Sequence, residues 1–391
     1  MKKFTYQLLL LFLISGVGSA QTPVMLKLGY ETFDEVIKEH GLHYKATQDY
    51  DDYLKFRQSS LRKNAGLFSD TESISVPGIG GRVRSILVDS DNDIFLAAPS
   101  GGGLWTFAPD GSSFTAVDDM APFMTITDIT QSPFDSDEII ISTGDEYQGI
   151  IGEGLFISND RGSTFVQLPS TDPDVENGFS VTRYVEYHPT RQNELYVVAG
   201  FRLYKSIDKG VSWNLVYQAS DRIKSIEFND SGEMLISVLR NGLFHSTTGD
   251  SGTFSQITNG VPNINGSFIG SVVASHKADR SIMYSLFSVS DPSSTCGSRA
   301  DLYKSTDGGI SWSFINSTDF CVTAEFFVLE LYVHPTDPDL IFAGSIGWGY
   351  TENGGLDWIR GARLEVDYHE FITDISDPLS LIHISEPTRP Y

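Results

Sequence analysis

The chain has 391 residues, 40% of them hydrophobic and 12% aromatic, enough to bury a large core in one big domain or two smaller ones. Asp and Glu number 51 against 27 Lys and Arg, a formal net charge of −24. A field of that sign repels phosphates and anionic headgroups, which argues against nucleic acid and anionic lipid as general partners.

The first element in chain order is a leader. MKKFTYQLLLLFLISGVGSA places two lysines before an apolar run from Leu8 to Ile14, then small residues up to Ala20. This is the layout of a secretory signal peptide cleaved after Ala20. The run is too short to span a bilayer, and no later stretch approaches 18 apolar residues. A secreted or cell-surface protein without a transmembrane segment is expected. Residues 21–74 follow, with ETFDEVIKEHGLHY and YDDYLKFRQSSLRKN spaced like helices. A short helical N-terminal segment is therefore predicted there.

From residue 75 the chain repeats itself. SIDKGVSW (206–213) and STDGGISW (305–312) are each preceded by LYK. Aligning on the closing aromatic adds FAPDGSSF ending at Phe114, SNDRGSTF at Phe165, STTGDSGTF at Phe254 and TENGGLDW at Trp358. The intervals are 51, 48, 41, 58 and 46 residues. Each phrase follows an alternating strand, a turn and a second strand, as in TRYVEYHPTRQNELYVVAG and LELYVHPTDPDLIFAG. A third short strand such as RLYKS leads into the phrase, which turns the chain into a fourth. Four strands per ~49 residues make one blade of a β-propeller, so the predicted fold is all-β with six full repeats over 75–378. HEFITDISDP (369–378) restates MTITDITQSP of the second repeat, so a seventh blade is expected to begin and be cut short. The ring should then be open and incomplete.

The phrase has the chemistry of a turn: a leading Ser or Thr and an Asp that accept backbone N–H bonds, a Gly that permits positive φ, and an aromatic anchor. S-x-D-x-G-x-[ST]-W resembles the Asp-box, or bacterial neuraminidase repeat, of sialidases, sortilin-type receptors and xyloglucanase-like propellers. In those families the box is a structural hairpin in the outer part of a blade. The resemblance implies structural roles for Asp160, Gly162, Asp208, Gly210, Trp213, Asp307, Gly309 and Trp312. The helical segment and the junction VPGIGGRVRSI (76–86) are also similar to exported Bacteroidota-type Asp-box proteins.

Catalytic residues remain unassigned by sequence. The F-R-I-P-type motif of sialidases is absent; GRVRS, with Arg82 and Arg84, is the nearest parallel. Where a xyloglucanase-like propeller would place a catalytic Asp, PSGGGLW puts Ser100. No G-x-S-x-G, H-E-x-x-H or Walker loop occurs, so no cofactor is expected. His188 and His334 belong to YHPT and VHPT turns and read as structural. Counting five residues back from each hairpin turn gives one position per blade: Arg84, Asp128, Tyr184, Ser225, Ser271 and Glu330. A polar column of this kind is costly unless it lines a solvated channel, which makes Arg84, Asp128, Tyr184 and Glu330 the ligand-facing candidates.

The two cysteines, Cys296 and Cys321, are expected to form a disulfide in an oxidising compartment. No Cys/His cluster has zinc-ligand spacing, so no metal is expected. LSLIHISEPTRPY (379–391) breaks the preceding pattern and resembles a translated sequencing adapter of the kind that ends truncated genes in assembled metagenomes. The combined expectation is a propeller that binds or scaffolds a polysaccharide or an extracellular protein. The alternative is a polysaccharide-active glycoside hydrolase, sialidase- or xyloglucanase-like, with part of its catalytic half missing.

Overall fold

The structure is a computed structural model that describes residues 7–12, 70–75, 381–386 and 83–373, the last apart from 100–101, 109–112, 118–124, 147–148, 175–176, 265–267, 295–296, 319, 321, 323–327 and 362–365. It is a β-propeller. Six four-stranded antiparallel sheets follow one another along the chain, each built from four consecutive strands. Their inner strands are Val83–Asp89, Ile126–Ser132, Thr182–Tyr187, Ile223–Phe228, Phe268–Ser275 and Glu330–Val333. Each inner strand lies beside that of the next blade.

The sequence dictates this layering through the second strand of each blade. Ile94–Pro99, Leu195–Ala199, Met234–Val238 and Ile341–Gly344 are buried at every position. A strand buried on both faces reads as a continuous apolar run, and these strands are covered by the neighbouring blades on either side. The core therefore lies between blades. Leu96 and Ala98 of the first pack on Ile129, Ile139 and Phe156 of the second; Tyr196 and Val198 of the third pack on Phe228 and Ile236 of the fourth.

The repeated phrase forms the turn between third and fourth strands, on the side of the blade away from the axis. Asp208 Oδ1 accepts from Ser206 Oγ (2.7 Å) and Ser212 N (2.9 Å), its Oδ2 accepts from Ser212 Oγ (2.6 Å), and Gly210 N donates to Ser206 Oγ (2.8 Å). The same bonds recur around Asp160 and Asp307. The sixth copy looks degenerate as sequence yet keeps the pattern: Asn353 Oδ1 accepts from Thr351 Oγ1 (2.9 Å) and Asp357 N (3.0 Å). These bonds hold the Asp208 and Asp160 carboxyls below the usual carboxylate range. In four of the turns the glycine packs on a leucine of the preceding blade: Gly162 on Leu96, Gly210 on Leu168, Gly309 on Leu235 and Gly355 on Leu302. The turn thus spaces blades as well as ending strands. Trp312 is buried and donates from Nε1 to the Gly309 carbonyl (2.9 Å). Trp213 lies against Phe179, with centroids 5.9 Å apart.

A seventh sheet changes the expected open ring. Its inner strand, Val366–Ile372, lies beside the inner strands of both the sixth and the first blades, so the inner circle is closed. Next to it stands Leu381–Glu386, antiparallel, then Gln7–Phe12 and Asp70–Ser75, which pair in parallel. The first and sixth blades are therefore not left without neighbours. The outer strands of this sheet come from stretches that the sequence reading gives to the leader, the helical segment and the adapter-like tail. Of the expected helical segment (21–74), residues 70–74 belong to the strand Asp70–Ser75; the remainder lies outside the described residues.

Cys296 and Cys321 also lie outside the described residues. Their flanks adjoin each other, because Ser298 Oγ donates to the Val322 carbonyl. We propose that the two thiols are bridged, closing a loop of about 25 residues and contributing ~3 kcal/mol. Thiol labelling of the unreduced, denatured protein should find no free cysteine, and Cys321→Ser should lower the melting temperature. Two labelled thiols would disprove the bridge.

Candidate functional site at the propeller axis

The inner strand of each blade is a sheet edge whose axis-facing N–H groups find no partner in their own sheet. The neighbouring blade supplies one. Ile129 N donates to Ser85 Oγ (3.3 Å), Val185 N to Asp128 Oδ2 (3.0 Å), Val273 N to Ser225 Oγ (3.1 Å) and Ile86 N to Glu370 Oε2 (2.7 Å). At these four junctions a side chain of one blade thus ties down the inner strand of the next.

These bonds define the register at the axis. Ser85, Asp128 and Ser225 occupy equivalent places, with Tyr184 and Glu330 at the corresponding points of their strands, four residues before His188 and His334. Arg84 falls one residue before the column, at the bulged position between Val83 and Ser85. Ser271 is likewise one residue early and fully buried, next to Val272. Glu370, in the seventh sheet, completes the column; only the restart at 369–378 hinted at it in the sequence. One of the two turn histidines serves the ring too: His188 Nδ1 accepts from Arg191 N (3.0 Å) while Nε2 meets the Gly232 carbonyl of the next blade (2.9 Å).

The bulge recurs. In each of the first four blades the paired register skips the residue just before the column, at Arg84, Thr127, Arg183 and Lys224, while other skips fall in the fifth blade and the seventh sheet. Bulges re-aim side chains at rims and near sites, and three of these four residues are cations. Arg183 and Lys224 are buried, and their charges and that of Arg84 act on Glu330. Arg183 Nη1 donates to Glu146 Oε1 (3.1 Å), which also accepts from Arg222 Nε (2.5 Å). The Arg183 guanidinium lies 5.3 Å from the centre of the Tyr184 ring.

Carboxyls continue along the axis from this cluster. Burial pushes Glu330 up to about 7, against the pull of Lys224, Arg183 and Arg84. Burial and then Arg183 and Arg84 push Lys224 well below its ordinary range, against Glu330. Glu370 is raised well above the carboxylate range by burial and by Asp128. Asp128 is raised to about 8 by burial, with Glu186 adding to it. Glu186 is raised to about 7 by burial, relieved by Lys277 and reinforced by the like charge of Glu227. At the far end Glu227 Oε2 accepts from Ser275 Oγ (2.7 Å) and pairs with Lys277 Nζ (3.3 Å). Carboxyls coupled in series in a poorly solvated space share protons rather than all ionising at once. Among the described residues no three His, Cys, Asp or Glu converge to hold a metal ion. No helix there is long and apolar enough to cross a membrane.

No protein-family model and no curated protein matches the chain. Solved structures do. A GH74 enzyme of Niastella koreensis is similar at a TM-score of 0.58 and 18% identity, over 78% of this chain and 51% of that one. The extracellular domain of a hybrid two-component system protein from B. thetaiotaomicron is similar at 0.57 and 13%, over 80% and 38%. YCF48 from Cyanidioschyzon merolae is similar at 0.51 and 14%, over 77% and 91%. The chain spans about half the length of the GH74 enzyme. At these identities the likeness is one of fold, and the fold it shows is the β-propeller.

Proposed function

We propose that this chain is an exported propeller module that binds a carbohydrate or protein ligand at the axial end where the inner strands begin. The observation that carries the reading is the set of ionisable side chains gathered there: Arg84, Arg183 and Lys224 on bulges of the inner strands, with Glu330 at the column position of the sixth. Export rests on the leader-like residues 1–20, and Asp-box membership on the repeated turn. Hydrolysis is the second reading. Glu330 and Glu186, both raised to about 7, have the protonation of a general acid near neutrality. A glycosidase needs two carboxyls that both reach the scissile bond. Asp128 and Glu370 instead hold the backbone of the next blade. This favours binding.

The test is a panel of polysaccharides and purified exported proteins presented to the immobilised protein, with reducing ends assayed in parallel. Retention of a ligand without new reducing ends is expected. Release of reducing ends that disappears in Glu330→Gln would replace the binding reading with the hydrolase. Retention of nothing would defeat both.

A further inference from the structure

We infer that Asn353, in the sixth turn, is a spontaneous deamidation site whose conversion to aspartate or isoaspartate undoes that turn. The chain has five Asn-Gly pairs, beginning at residues 177, 241, 259, 265 and 353. Glycine has no Cβ to shield its amide nitrogen, so these asparagines are the ones most open to attack by the following backbone N. Of the five, Asn353 stands where Asp160, Asp208 and Asp307 stand in three other copies of the turn.

Those copies differ from the sixth in which residue supplies the proton. Thr164 Oγ1 donates to Asp160 Oδ2 and Ser212 Oγ to Asp208 Oδ2, both at 2.6 Å, and Ser311 Oγ donates to Asp307 in the same way. In the sixth copy the roles are exchanged. Asn353 Nδ2 donates to Asp357 Oδ2 (3.0 Å), while Asn353 Oδ1 accepts from Thr351 Oγ1 (2.9 Å) and Asp357 N (3.0 Å). An aspartate at 353 would keep both bonds to Oδ1 but set a second carboxylate against that of Asp357, with no proton between them. Like charges at hydrogen-bond distance repel. Isoaspartate also adds a carbon to the backbone of a turn that Gly355 N closes onto Thr351 Oγ1 (2.9 Å). Gly355 packs on Leu302 of the fifth blade, so the loosening reaches a contact between blades.

The reaction needs only water. Gly354 N attacks Asn353 Cγ: the N–Cγ bond forms, the Cγ–Nδ2 bond breaks, and the Gly354 amide proton leaves with Nδ2 as ammonia. Water then opens the succinimide at one carbonyl or the other, giving aspartate or isoaspartate. The closed turn opposes the first step, because Gly354 N is committed to the Asp339 carbonyl (2.9 Å) and three bonds pin the Asn353 amide. Attack therefore starts from an opened turn, and Asn353 and Asp357 are exposed, so water reaches it. Conversion then removes the bond that would close the turn again. The sixth turn is a one-way latch.

The experiment ages the full chain near neutral pH, with and without urea, and maps its peptides by mass. Asn353 should gain about 1 Da, at least about tenfold faster in urea, where the turn is open. Asn353→Asp should melt roughly 2 °C below the wild type at about pH 8, and the gap should close below about pH 4, where one carboxyl donates a proton to the other. Adding Asp357→Ser to Asn353→Asp should restore the melting temperature, since a hydroxyl then donates as that of Ser212 does to Asp208. The aged wild-type fraction modified at Asn353, separated by anion exchange, should also melt below the unmodified fraction, which tests the same claim should Asn353→Asp fail to fold. No mass gain at Asn353 in urea overturns the site, and equal rates with and without urea overturn the protection by the closed turn. Asn353→Asp melting with the wild type at about pH 8, or gaining nothing from Asp357→Ser, overturns the exchanged bond and the latch with it.

Discussion

Gly309→Ala is expected to melt roughly 5–10 °C below the wild type, a loss of about 2–5 kcal/mol. Two costs add. Gly309 has φ +89°, where a Cβ meets the backbone carbonyl and costs about 1–2 kcal/mol. The new methyl would also fall within contact of Leu235 of the preceding blade, a residue with no exposed surface, and overpacking costs about 1–3 kcal/mol. Gly252→Ala separates the two, since it has φ +80° but nothing within 4 Å of the added carbon, so only the backbone cost applies. Leu235→Ala combined with Gly309→Ala should cost clearly less than the sum of the single changes, because the truncated side chain makes room. Strict additivity would mean that the turn does not set blade spacing. Gly355→Ala, facing Leu302, should behave like Gly309→Ala.

Raising the pH from roughly 5 to roughly 8 is expected to lower the melting temperature by about 5 °C or more. The sign follows from the axial carboxyls. Asp128, Glu186 and Glu330 have folded-state values raised to about 8, 7 and 7, above those of the unfolded chain near 4. Between these limits the folded protein holds protons that the unfolded chain has released, so stability falls as pH rises. The turn carboxyls act at the other end. Asp160, Asp208 and Asp307 are depressed, so the stability they add is present above about pH 4 and lost as pH falls through their folded values. A maximum in mildly acidic solution results. Glu186→Gln removes one titrating group and its repulsion on Asp128, so it should raise the melting temperature near pH 8 and flatten the decline. A wild-type melting temperature that is level or rising over this interval would contradict the protonated axis.

The blades were legible because each is local. Period-2 strands, apolar second strands and a turn whose Ser, Asp and Gly bond within a few residues all appear in any single repeat, and repetition confirms each by the others. Asp128 and Tyr184 were readable as axis residues for the same reason: their distance from the next hairpin turn is fixed inside one blade. Three things depended on the assembled ring. The bulges that bring Arg84, Arg183 and Lys224 to the rim insert one residue each, and a one-residue shift leaves no mark in an alternating pattern. Glu370 and the closing strand Val366–Ile372 take their meaning from the first blade, where Ile86 lies 284 positions away in the chain, as well as from the adjoining sixth. Finally, the polar column that sequence alone suggests as ligand-facing also satisfies the backbone edge of each next blade. Edge N–H groups have no sequence signal, since every residue but proline carries one, and only the neighbouring strand decides which side chain meets them.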